Sequence, residues 1–254
     1  MLKVEATPHF GGIFVSGDFD DIDKLYDAVW EVAAPIAGDD GYSDPLHFAA
    51  VNVLGLCYDL RHCYMGDREV MLHENGVRPG ARLEGKAIPT KNVRYGVNIL
   101  WTEALFDCAM LRVLCERRQR ELTKGKRRSD GISAQARYDV PVNHVVLYQS
   151  LVYDALAKAV SPNLHSRIMR LVTEADSIFQ NYCTQYLEQF DAEFARSDEE
   201  KRRKLLGPTM KRVLGGGEDY DEFCRDIRAF AAEHDCSVEH VSVDDGGWPD
   251  EIDW

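Results

Sequence analysis

Apolar and polar residues alternate in the first hundred positions. Leu2, Val4 and Ala6 face one way while Lys3, Glu5 and Thr7 face the other, which predicts a half-buried strand. Gly11-Gly12 leads into Ile13-Phe14-Val15-Ser16, a second strand closed by Gly17, and the two suit an antiparallel pair. Arg68 to His73 reads as a short strand ahead of the turn signal Asn75-Gly76, and Pro79 and Pro89 mark a loop. Val93, Tyr95, Val97 and Ile99, alternating with Arg94, Gly96 and Asn98, form the clearest strand.

Between these segments the period changes to that of a helix. Asp18 and Asp20 offer N-caps for a helix from about Asp21 to Ala34, with Ile22, Leu25, Val29 and Val32 on its apolar face. Another runs from about Leu46 to Tyr64 and ends at Gly66, where glycine can take the left-handed cap. Thr102 can cap a third, from Glu103 to about Leu122, and Glu103 suits the positive end of its dipole.

After residue 131 only helical signals remain. One helix covers about Asn143 to Val160, stopped by Ser161-Pro162. The next carries Leu164, Ile168, Leu171, Ala175, Ile178, Tyr182, Tyr186, Phe190 and Phe194 at spacings of three and four. Persisting over about 30 residues, they predict one helix of roughly 45 Å at about 1.5 Å per residue. Helices near Asp198–Leu214 and Asp219–His234 follow, hinged at Gly215-Gly216-Gly217. The predicted class is α+β: a small, mostly antiparallel sheet with helices in the N-terminal half and an all-α bundle in the C-terminal half. The expected organisation is an α+β domain over 1–122, a basic loop at 123–131, a helical domain over 132–236 and an acidic flexible tail from 237 to 254.

Composition narrows the classes. In 254 residues, 45% apolar and 29% charged describe a globular protein and exclude wholesale disorder. No stretch approaches the roughly 18–20 apolar residues of a membrane helix. Met1-Leu2-Lys3-Val4-Glu5 lacks the basic and apolar segments of a signal peptide, so a cytoplasmic location is expected. The seven cysteines are odd in number and include no C-x-x-C, which suits free, buried thiols rather than a disulfide framework. Cys108 and Cys115, seven apart, share a helix face.

A net charge of −13 argues against general affinity for phosphate backbones. Yet Glu116 to Arg128 holds seven basic and two acidic residues, a local +5. Arg117, Arg118, Arg120, Lys124, Lys126, Arg127 and Arg128 form either a solvated helix end or a contact for nucleic acid or an acidic partner. The tail has the opposite character: Asp244, Asp245, Asp250, Glu251 and Asp253 surround Trp248 and Trp254. Tryptophans are costly to leave in water, so these two should dock on the protein's own surface or in a partner's groove.

Reactive residue types cluster from Cys57 to Glu69. Asp59 lies one helical turn from His62 and Cys63, so His62 could act as a base oriented by Asp59, or His62 and Cys63 could ligate a metal. No second Cys/His cluster completes a ligand set, so no metal and no cofactor are expected. The other reading is an ion-pair network among Asp59, Arg61, Asp67, Arg68 and Glu69. Phosphate-binding glycine loops, a G-x-S-x-G elbow, H-E-x-x-H and the zinc-deaminase signature are all absent from the sequence. Three Arg/His pairs, Arg68/His73, Arg137/His144 and Arg228/His234, have the spacing found in helical ribonucleases of the HEPN class. Chance placement produces about as many. Only Arg228/His234 sits in a similar helical context, and Ala229 stands where that class commonly has a polar residue.

Several segments resemble a family of uncharacterised bacterial proteins known as a domain of unknown function. They are Gly12-Ile-Phe-Val-Ser-Gly-Asp18, Leu25-Tyr-Asp-Ala28, Val53-Leu-Gly-Leu-Cys-Tyr-Asp-Leu-Arg-His62, Gly66-Asp-Arg-Glu69, Val97-Asn-Ile-Leu-Trp101 and Glu103-Ala-Leu-Phe106. The likeness covers about residues 1–115 and implies no activity. The expected function is a non-enzymatic protein-binding subunit or regulator of a bacterial multi-protein system, self-association included. A HEPN-like ribonuclease using Arg228 and His234, and nucleic-acid binding through residues 117–128, are the alternatives.

Overall fold

A computed structural model describes residues 1–38, 44–124, 133–175, 183–241, 243 and 246–254, the side chains of Cys183 and Glu239 excepted. The order is β1 (Lys3–Ala6), β2 (Gly12–Gly17), α1 (Phe19–Ala37), α2 (His47–Met65), β3 (Glu69–Glu74), β4 (Arg82–Leu83), β5 (Lys86–Ala87), β6 (Lys91–Leu100) and α3 (Trp101–Thr123). Helices α4 (Ala134–Arg137), α5 (Val140–Ala159), α6 (Pro162–Glu174), α7 (Cys183–Arg196), α8 (Glu199–Gly215) and α9 (Glu218–Glu233) follow. A 3₁₀ turn at Val238–His240 precedes the tail.

The main sheet is antiparallel throughout, in the order β1-β2-β6-β3. This is the expected class: sheet and helices first, helices alone afterwards. Glycine sets the tightest point. A Cβ on Gly12 would lie 1.8 Å from the Ile99 carbonyl oxygen, and one on Gly96 would lie 2.1 Å from the Phe14 ring. One face, with Ile13, Val15, Val97 and Ile99, is core.

Local signals explain most element ends. Asp18 caps α1 in a capping box with Asp21, each side chain accepting from the other's backbone N–H. Gly66 closes α2 at φ +88° and returns its N–H to Cys63. Helix α3 starts two residues earlier than Thr102 would place it. Strand β6 runs straight into it, and the Trp101 N–H, rather than a side-chain cap, is satisfied by the Gly11 carbonyl at 3.3 Å. Thr102 is consequently buried inside the first turn.

The long aromatic helix is not one helix. Helix α6 ends at Glu174, and Ala175 leaves helical geometry at ψ 80°. Ile178 and Tyr182 lie outside the described residues, while Ile168, Ala175, Tyr186, Phe190 and Phe194 are buried as the stripe requires. Asn75-Gly76 also does not turn β3 straight into its partner. A small hairpin, β4–β5, intervenes, with Glu84 and Gly85 at positive φ.

Helix α3 is central. From Trp101 to Leu111 nearly every side chain is buried, and it packs against α1, α2 and α4 through α8. A helix apolar on all sides belongs inside. A single core therefore runs from Leu2 to Cys224, across the expected boundary near residue 123. No helix among the described residues is long and apolar enough to cross a membrane.

Candidate functional site

The cluster at the end of α2 resolves into one ion pair and one histidine–carboxylate contact. Arg68 donates to Asp59 at 2.9 Å, and His62 Nδ1 meets Asp67 at 2.9 Å. His62 is thus oriented by Asp67 and not by Asp59. Cys63 points into the core, where burial pushes its thiol up to about 12, so it carries no nucleophilic thiolate. Among the described residues no group of three or more His, Cys, Asp or Glu is arranged to hold a metal ion.

Asp59 and Arg68 form one wall of a cleft of about 500 Å³. Asp67, Glu69, Asn98 and Glu103 add polar groups, and Trp248, Ile252 and Trp254 close it from the tail. The tail docks on its own protein. Ile252 and Trp254 pack against the core. The buried Arg202 of α8 donates to the carbonyls of Phe194 (3.0 Å), Ala195 (2.8 Å) and His9 (3.1 Å), and also to that of Asp253. Phe194 and Ala195 belong to the last turn of α7, whose free carbonyls suit a cation. Arg196 donates to Gly247, and His9 lies 3.7 Å from the Asp253 carboxylate. Trp248 remains half open to solvent.

Behind the cleft lies a seam of carboxyls. Glu103 and Asp107 are one turn apart on α3, and Asp191 faces them from α7. Burial, reinforced by Asp59, pushes the Glu103 carboxyl up to about 7. Asp107 is held well above the usual carboxylate range by burial and then by Glu103 and Asp191, with the Asn52 side chain opposing. Asp191 is raised by burial and Glu103, with Thr102 opposing. Neither Asp107 oxygen and not Asp191 Oδ1 makes a well-formed hydrogen bond, and the buried Tyr148 hydroxyl is likewise unpaired. A buried carboxylate without a counter-cation keeps its proton instead. Burial thus favours the protonated form along the seam, and Glu103 is its member that lines the cleft.

Other expected residues disperse. Arg117 pairs with Asp44 at 2.5 Å and Glu121 at 3.6 Å, Arg118 with Asp139 at 2.7 Å and Glu31 at 3.0 Å, and Arg120 with Glu116 at 3.1 Å. Carboxylates of this chain occupy all three. Lys124 caps the exposed end of α3, and Lys126, Arg127 and Arg128 lie outside the described residues. Arg228 is exposed on α9. His234 caps that helix with its ring 4.2 Å from Phe230. Six residues apart, the two sit on different faces of α9.

Glu103, Asp107 and Asp191 were not singled out as a site by sequence. Part of the signal was present: Glu103 and Asp107, one turn apart, interrupt the mostly apolar run from Trp101 to Leu111, whereas Asp191 is one of three acids between Tyr186 and Ala195 and nothing local sets it apart.

The fold and cleft define a class: a four-stranded antiparallel sheet joined through one central helix to a helical bundle, with an acidic cleft strapped by the C-terminal segment. The chain belongs to the family described as Domain of unknown function (DUF6904), whose model matches residues 2–254. That corrects the likeness drawn to about residues 1–115, since the helical half and the tail are as much the family's as the sheet. No curated protein and no solved structure matches.

Proposed function

We propose that this is a non-enzymatic binding protein, a subunit or regulator that captures a lysine or arginine side chain of a partner protein in the strapped cleft. The observation that carries the reading is the composition of that cleft. Asp59, Asp67, Glu69 and Glu103 line it together with one guanidinium, Arg68, which is paired with Asp59, and with the tail tryptophans Trp248 and Trp254. Carboxylates supply charge, and tryptophan faces attract cations through the ring quadrupole. A volume of about 500 Å³ is ample for one such side chain.

The seam gives the reading a sign. A cation in the cleft favours ionised Glu103, so binding releases its proton and weakens as pH falls below about 7. The test is tryptophan fluorescence titrated with short arginine- or lysine-containing peptides and with matched citrulline or norleucine peptides. Cationic peptides should bind, about ten-fold more weakly at pH 5.5 than at pH 8, and Glu103→Gln should flatten that dependence. Equal binding of the neutral peptides overturns the reading.

The ribonuclease alternative draws no support from the separated faces of Arg228 and His234. Nucleic-acid binding draws little from arginines already held by carboxylates.

A further inference from the structure

Strand β3 is the open edge of the sheet. The opposite edge, β1, is covered by α5. On β3, Val70 is 50% and Leu72 62% exposed, and Val93, opposite Leu72 on β6, is 41% exposed. By register these side chains lie on the same sheet face as the buried Val97 and Ile99. An unpaired edge of six residues, with Val70, Met71 and Leu72 at its centre, is a template for another strand.

The polarity of that edge follows from its hairpin partner. Asn75 N–H donates to the Thr90 carbonyl, and the register pairs Glu74 with Lys91, so Glu69, Met71 and His73 direct their backbone groups toward β6. Val70, Leu72 and Glu74 therefore direct theirs outward.

We infer that β3 pairs with β3 of a second copy of this chain, antiparallel about a twofold axis at Met71. In this register Val70 meets Leu72 of the other copy, Glu69 meets His73 and Arg68 meets Glu74. Apolar residues face each other, Glu69 faces an imidazole, and Arg68, which holds Asp59 in its own chain, faces Glu74, which holds Lys91. Shifting by two residues one way sets Val70 against Glu74, and the other way sets Arg68 against Leu72. No other nearby register has this complementarity. The outward groups of Val70 and Leu72 form about four main-chain hydrogen bonds across the axis, and the two sheets become one. Glu69 lines the cleft, so the second copy's His73 stands at the cleft mouth.

The register makes a sharp demand on Met71. It faces its own copy in a non-hydrogen-bonded pair, with Cα atoms about 4.5 Å apart, inside the range that a disulfide spans. The test uses the full chain with Cys236→Ser, because Cys236 is exposed. Light scattering should find twice the chain mass, and Leu72→Lys, at an exposed site, should return it to a single chain with an unchanged circular-dichroism spectrum. Mild oxidation should cross-link the Met71→Cys variant within the dimer. It should not cross-link the Glu74→Cys variant, in which the two substituted positions lie about 20 Å apart at about 3.4 Å per residue. A monomeric parent at micromolar concentration, or a dimer in which Met71→Cys cross-links no better than Glu74→Cys, overturns the inference. Neither outcome bears on the peptide titration above.

Discussion

Replacing Glu103 by glutamine removes one ionisation and almost no volume. Burial and Asp59 push the folded carboxyl to about 7 from its ordinary value of 4.5. The folded state therefore holds the proton more tightly than the unfolded chain does. Stability from this group is fully present below about pH 4.5 and is lost as pH rises to about 7, then stays level. At about 1.36 kcal/mol per pH unit, a fully desolvated group would cost roughly 3 kcal/mol above pH 7. Glu103 lines an open cleft and water screens part of its charge, so the expected cost is about 1–3 kcal/mol. Glutamine never ionises. Glu103→Gln should be more stable than the parent by that amount at pH 8 in urea unfolding, and the gain should shrink toward zero near pH 4.5. A gain of the same size at both pH values, or a loss at pH 8, refutes a protonated carboxyl at this position.

Other outcomes follow from named contacts. Gly12→Ala drives a methyl into the Ile99 carbonyl, 1.8 Å away, and should cost more than about 3 kcal/mol or leave the chain insoluble. Arg202→Met keeps volume but strands four carbonyls, and a loss of about 3–5 kcal/mol is expected by chemical denaturation. Titration with a thiol reagent should lose one fast equivalent on Cys236→Ser, at an exposed site, and none on Cys63→Ser or Cys108→Ser, which lie in the core.

The parts of the fold that could be read from sequence depend on neighbours in the chain. The alternation of Val93 to Ile99, the acid at Asp18 and the glycine at Gly66 all act within a few residues, and each marks its element. Where tertiary contacts decide, local pattern fails. The break after Glu174 interrupts a stripe whose spacing continues through Ala175 with no proline or glycine to announce it. The start of α3 is set by a carbonyl ninety residues upstream at Gly11. Strands β4 and β5, two residues each, are too short to show an alternation. The candidate site divides in the same way. Asp59 and His62 stood out as neighbours in sequence, whereas Asp191 joins Glu103 and Asp107 only because α7 packs on α3.

Arg202 binds the carbonyl of His9, 193 positions away, and that of Asp253, 51 positions away. Closing loops of that length is entropically expensive and kinetically slow. The cleft should therefore be the last part of the molecule to become competent during refolding. Peptide binding, followed in time, would lag the recovery of helical signal and would serve as a clock for the final docking of the tail.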